Sequence, residues 1–131
     1  MHITLESDYA VRIVDALACC GKRMDAKTIA DQTGVTLRFS LKILHKLVAC
    51  GIVRSYKGAK GGYELARPAA EISLRDVIET VEGLYTFSRC LNPEHVCKCD
   101  AAVCRSGSCR FQKAYDEISE IVREKLNQMT F

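Results

Sequence analysis

Apolar side chains in residues 5–20 fall at Leu5, Tyr9, Val11, Ile13, Val14 and Leu17, and Gly21 follows. That spacing is close to 3.6 residues and predicts an amphipathic helix that stops at the glycine. From Asp25 a shorter helix is expected, with Ile29 and Ala30 inward and Gly34 at its end. Thr36 caps the next helix, which turns Phe39, Ile43, Leu44, Leu47 and Val48 to the core and closes at Gly51. Two short helices joined through TGVT form a helix-turn-helix pattern. After Gly51 the period drops to two: IVRSY and GYELA read as half-buried strands joined by KGAKGG, a basic, glycine-rich hairpin or wing. Pro68 breaks the chain, and SLRDVIETVEG reads as a helix capped by Ser73 with Val77, Ile78 and Val81 on one face. The next segment, with Pro93 and Gly107, shows no period and reads as a loop.

The last segment carries Phe111, Ala114, Tyr115, Ile118, Ile121, Val122, Leu126 and Met129 at helical spacing. This stripe is long for a small domain's own needs, and a symmetric two-chain interface would bury it, so a homodimer is expected over a core helix packed within one chain. The fold class is therefore mainly α, a winged helix-turn-helix with a small β-hairpin wing plus a long C-terminal dimerisation helix. The expected divisions are a DNA-binding domain over 1–68, a linker helix over 69–89, a cysteine-rich loop over 90–109 and the dimerisation helix over 110–131.

With 131 residues, 48% of them hydrophobic, the chain is one compact unit or a small domain with an attached arm. Charges at Glu6, Asp8, Arg12 and Asp15 exclude a secretory signal, and no apolar run is long enough to cross a bilayer. A cytoplasmic protein with no membrane partner is expected, in a compartment where thiols stay reduced. The net charge of +3 is unevenly spread: residues 1–67 hold eleven Lys/Arg against six Asp/Glu, residues 68–131 eight against ten. No acidic residue falls between Asp31 and Glu64, whereas Arg38, Lys42, Lys46, Arg54, Lys57 and Lys60 all do. Such a block suits a polyanion, although a solvated basic face has the same composition.

The second helix of a helix-turn-helix enters the major groove, where it needs outward donors near its N-terminus. The candidates are Thr36, Arg38, Ser40, Lys42, His45 and Lys46, with Phe39 among them on the same turns. Arg38 can present two N–H groups to guanine, while Lys42 and Lys46 suit phosphate oxygens. In the hairpin, Lys57 and Lys60 flank Gly58 and Gly61, which let the backbone approach a phosphate chain or a narrow groove. His45 has no second ligand at helical spacing and reads as a surface or packing residue. Cys19, Cys20 and Cys50 read as small buried apolar residues.

The other five of the eight cysteines are Cys90, Cys97, Cys99, Cys104 and Cys109. Crowded thiolates repel unless a cation neutralises them, so a metal centre is the economical reading. Zinc sites favour C-x2-C pairs, absent here, whereas irregular gaps flanked by Arg89, Lys98, Arg105 and Arg110 suit an iron–sulfur cluster. Zinc and a thiol–disulfide switch are the alternatives. No nucleophile–base–orienter set, phosphate loop or catalytic carboxylate pair is present, so neither an enzyme nor a small-molecule substrate is implied. A small iron–sulfur carrier is the rival from another class.

The stretches ITLESDYAVRIVDALA, GIVRSYKGAKGGYELARPAAEISLRDVIE and CRFQKAY together resemble the Rrf-two family of winged-helix transcription regulators, over essentially the whole chain. The resemblance implies a homodimer on double-stranded DNA whose affinity or site choice follows a 4Fe-4S or 2Fe-2S cluster sensing redox state, nitric oxide or iron. It implies Cys90 and Cys109 as outer ligands and one of Cys97, Cys99 or Cys104 between them. For the fourth ligand it implies Asp8 of the partner subunit or a further cysteine. The histidine that some members carry three positions after the last cysteine is Gln112 here.

Overall fold

Thr4, Asp25, Thr36 and Ser73 each accept a hydrogen bond from the backbone N–H three residues on, and each starts a helix. In order these are α1 (Leu5–Cys20), α2 (Ala26–Thr33), α3 (Leu37–Ala49) and α4 (Leu74–Glu82). The structure, a computed structural model, describes residues 2–95 and 109–131. Between α3 and α4 lie β1 (Val53–Tyr56) and β2 (Gly62–Leu65), paired antiparallel with Val53 opposite Leu65 and Tyr56 opposite Gly62. Short 3-10 turns at Ala69–Glu71 and Arg89–Leu91 precede and follow α4, and α5 (Arg110–Gln128) is the last helix. None of the helices among the described residues is long and apolar enough to cross a membrane.

The predicted faces meet in one core. Ala10, Ile13, Val14 and Leu17 of α1 pack with Ile29, with Ile43, Leu44 and Leu47 of α3, and with Ile52, Val53, Ile72 and Val77. Each such side chain contributes about 1.5–3 kcal/mol on leaving water. Leu5 lies off the Ala10–Ile13–Val14–Leu17 stripe and is 62% exposed, contrary to its place in the sequence pattern. Ser7 is buried in the same turn, because its hydroxyl donates to Glu82 at the end of α4. The same Glu82 Oε1 accepts from Thr4 Oγ1 at 2.7 Å and from the Thr4 amide at 3.0 Å. A carboxylate thus sits on the positive end of α1 and ties it to α4.

The wing is wider than a hairpin. Met24, in the α1–α2 connection, exchanges backbone hydrogen bonds with Tyr63 at 2.9 and 2.7 Å and so adds a third edge. Gly62 makes this contact possible: at φ 139°, a Cβ there would lie 2.6 Å from the Met24 carbonyl oxygen. Arg23 braces the tip, with its guanidinium 3.3 Å from the Tyr56 ring centroid and a 2.8 Å hydrogen bond to the Lys60 carbonyl.

At the other end α5 turns two polar residues inward. Ser119 and Arg123 are buried and serve the irregular chain after α4: Ser119 Oγ accepts from the Phe87 amide at 2.8 Å, and Arg123 donates to the Tyr85 carbonyl at 2.7 Å. That chain has no ladder of its own, so its backbone groups need such partners. Much of the apolar stripe therefore faces out: Phe111, Ile118, Ile121 and Met129 are exposed, while Tyr115, Val122 and Leu126 are half-buried. The chain then returns to α4, with Leu74 N–H on the Met129 carbonyl and Phe131 N–H on that of Ile72.

Two expectations follow. Burial of Glu82 disfavours its charge, but the Ser7 and Thr4 hydrogen bonds outweigh this and hold its pKa below the ordinary 4.5. A lowered folded-state pKa stabilises the fold above the unfolded value, and the gain is lost as pH falls through the folded one. Glu82→Gln should therefore cost about 1 kcal/mol near neutral pH. In urea unfolding the gap to the wild type should close progressively below pH 4.5. Gly62→Ala should cost at least about 1–2 kcal/mol through strain and the lost Met24–Tyr63 pairing. Hydrogen exchange at the Met24 and Tyr63 amides should accelerate with it.

Candidate nucleic-acid interface and cysteine site

Because α3 buries Ile43, Leu44 and Leu47, its opposite side carries Leu37, Arg38, Leu41, Lys42 and His45, all exposed. The Thr36 cap is exposed at the helix N-terminus, where backbone N–H groups favour an anion. Ser40, expected among the outward donors, is instead fully buried, and its hydroxyl has no hydrogen-bond partner among the described residues. It lies three and four residues before Ile43 and Leu44, on the core side of the helix. Phe39 is half-buried, edge-on to Tyr9 with ring centroids 5.7 Å apart, so it steadies α3 against α1.

The basic residues divide into two groups. Arg38, Lys57 and Lys60 are exposed and form no salt bridge among the described residues. Lys42 and Lys46 instead converge on Glu6 of α1, at 3.3 and 2.7 Å from its Oε1. The hydrogen bond from Lys46, joined by Lys42, keeps the Glu6 pKa below the ordinary carboxylate value despite partial burial. The acid-free block of sequence thus receives an acid from elsewhere in the fold. In the wing, Gly58 is exposed at φ 91°, and Gly61 has no room for a Cβ, which would lie 2.5 Å from the Tyr56 carbonyl oxygen.

Glu6, Arg23, Leu37 and Leu41 were not among the residues picked out by pattern. The two leucines were detectable, since they fall outside the Phe39–Ile43–Leu44–Leu47 stripe. Glu6 and Arg23 act across the fold and leave no local signal.

The cysteines take several environments. Cys19 and Cys50 are exposed and Cys20 is half-buried, which corrects the expectation that all three are core residues. Their elements end at these positions, and the last turn of each helix leaves the side chains near solvent. Cys90 lies in the 3-10 turn and Cys109 at the N-cap of α5, both half-buried. The Cys90 thiol is 3.2 Å from the Ser88 hydroxyl, to which it donates. Gln112 Nε2 donates to the Cys90 carbonyl at 3.2 Å, which joins the turn carrying one outer cysteine to the helix that begins after the other. Cys97, Cys99 and Cys104 lie outside the described residues. Asp8 is on α1, partly exposed and paired with Arg12 at 2.8 Å. Among the described residues no group of three or more His, Cys, Asp or Glu side chains is arranged to hold a metal.

Comparison with known proteins identifies the family of the chain. The Rrf2 family model, described as an iron-dependent transcriptional regulator, matches residues 3–131. Protein aau3 of Rhizobium meliloti is 36% identical over 91 residues, covering 69% of this chain and 59% of that protein. The chain spans only 53–59% of the length of the first curated relatives it matches. Among solved structures, CymR, the global cysteine regulator of B. subtilis, superposes with a TM-score of 0.76 at 23% identity, over 99% of this chain and 92% of CymR. IscR of T. potens does so with 0.71 at 23% identity, over 99% and 82%. At these identities the structural likeness speaks for the winged-helix fold alone. The family match covers nearly every residue, and the chain belongs to the Rrf2 family of transcriptional regulators.

Proposed function

We propose that this protein is a homodimeric transcription regulator that binds double-stranded DNA and whose binding is governed by an iron–sulfur cluster. The observation that carries the DNA reading is the exposed face of α3, where Arg38, Lys42 and His45 stand beside Leu37 and Leu41 while the wing holds Lys57 and Lys60. Arg38 offers a bidentate donor to guanine, and the two leucines suit thymine methyl groups. The wing cations and the cap at Thr36 suit phosphates. The exposed side of α5, with Phe111, Ile118 and Ile121, and Met129 just beyond it, supports a dimer, since apolar side chains recurring at helical spacing suit a symmetric interface.

The donor set near α5 fits a soft metal centre. Cys90 and Cys109 are half-buried thiols, and Cys109 stands at the N-cap of α5. With one or more of Cys97, Cys99 and Cys104, and with Asp8 of the partner subunit or a further cysteine, they complete a ligand set. A bound cluster supplies a centre sensitive to oxidants, nitric oxide and iron supply. The chain's part is to couple that loop to α5, through Gln112 at the Cys90 turn and through Arg123 and Ser119 at Tyr85 and Phe87. A thiol–disulfide switch is the second reading, favoured by five cysteines within twenty residues.

Protein purified without oxygen should be coloured, with iron and sulfide in stoichiometric amounts, and Cys90→Ser or Cys109→Ser should bleach it. A colourless dimer whose DNA binding responds to thiol oxidants would select the second reading. On a site selected from random duplexes, Arg38→Ala should lower affinity about 5- to 100-fold and relax the preference at one base pair. Replacing the selected site's thymines by uracil one at a time removes single methyl groups and should weaken binding where Leu37 or Leu41 touches. In a Leu41→Ala protein the uracil penalty at the position read by Leu41 should vanish.

A further inference from the structure

Glu6 is the one carboxylate among the described residues that meets the cations of α3. Its Oε1 lies 2.7 Å from Lys46 Nζ and 3.3 Å from Lys42 Nζ, and its side chain is 23% exposed. A brace between α1 and α3 is the simple account. However, pairs this exposed stabilise a fold by about 0–1 kcal/mol, and α1 and α3 already share Ile13, Val14, Ile43, Leu44 and Leu47 in one core. The cluster changes something else more strongly. Sequence-independent DNA binding comes from free cations that displace counterions from phosphates, whereas base contacts carry selectivity. Glu6 occupies the two lysines suited to phosphate and leaves Arg38, suited to a base edge, without an acidic partner among the described residues.

We propose that Glu6 is a specificity-determining residue: it competes with DNA phosphates for Lys42 and Lys46, lowering affinity for arbitrary duplex more than for the correct site. At a correct site, contacts from Arg38 hold α3 close enough for phosphates to displace the carboxylate. On arbitrary sequence those contacts are missing and the lysines stay with Glu6. This inference rests on the DNA reading above.

The test compares wild type and Glu6→Gln on a random-sequence duplex and on a selected site, across a salt series. Glu6→Gln keeps the side chain's size and leaves the core untouched; Glu6→Ala is measured beside it, with helical content by circular dichroism as the check on folding. Affinity for random duplex should rise about 3- to 10-fold, and the slope of log K against log salt should steepen by about 0.9 for each phosphate gained. Affinity for the selected site should rise less, so the ratio of the two falls. In a Lys42→Ala, Lys46→Ala background the Glu6→Gln change should have no effect. Equal affinities and slopes for wild type and both Glu6 variants, or an undiminished effect without the two lysines, would overturn the role of Glu6 and leave the DNA reading standing. Failure of every protein to bind any duplex would overturn that reading and this inference with it.

Discussion

Burial of Ile43, Leu44 and Leu47 against α1 fixes the rotation of α3 about its own axis, and through it the choice of side chains left for a partner. Turning the helix by one residue would exchange a fully buried leucine or isoleucine for a lysine or a histidine. Each apolar side chain contributes about 1.5–3 kcal/mol, whereas an exposed ion pair contributes about 0–1 kcal/mol and does not offset that. The outward set of Leu37, Arg38, Leu41, Lys42 and His45 is thus a consequence of the core. So is the inward position of Ser40, a hydroxyl held in apolar surroundings with no described partner. Its burial costs about 1–3 kcal/mol, and the neighbouring leucines and isoleucines outweigh that.

The same dependence explains what was legible beforehand. Helix starts were readable because a capping side chain and the amide it serves are three residues apart, as at Thr36 and Ser73. The wing was readable from alternation and glycines. Ser40 was misassigned because serine on a helix is outward by habit of composition, and only its phase relative to Ile43 and Leu44 says otherwise. Cys19 and Cys50 were misassigned for the converse reason: cysteine is buried on average, yet these two stand at helix ends. What joins distant parts of the chain, such as Glu6 with Lys46 or Glu82 with Thr4, has no signature within a window of sequence.

The C-terminal third shows how polar and apolar roles can trade places. On α5 the stripe of isoleucine and phenylalanine points largely away from its own chain, and serine and arginine point toward it. An irregular segment with unpaired backbone groups needs hydrogen-bonding partners more than apolar surface, and Ser119 and Arg123 supply them. The segment so held leads into the turn carrying Cys90, which Gln112 of α5 ties back. The outer cysteine positions are therefore attached to a helix that exposes Phe111, Ile118 and Ile121.

The third edge of the wing has a mechanical meaning. Met24 is hydrogen-bonded to Tyr63 of β2 and lies four residues beyond the end of α1, so the wing is tied by backbone to the chain that leaves the first helix. α1 begins at the carboxylate of Glu82 and is followed within four residues by the Met24–Tyr63 pairing, so hydrogen bonds anchor one end of this helix to α4 and the chain leaving its other end to the wing.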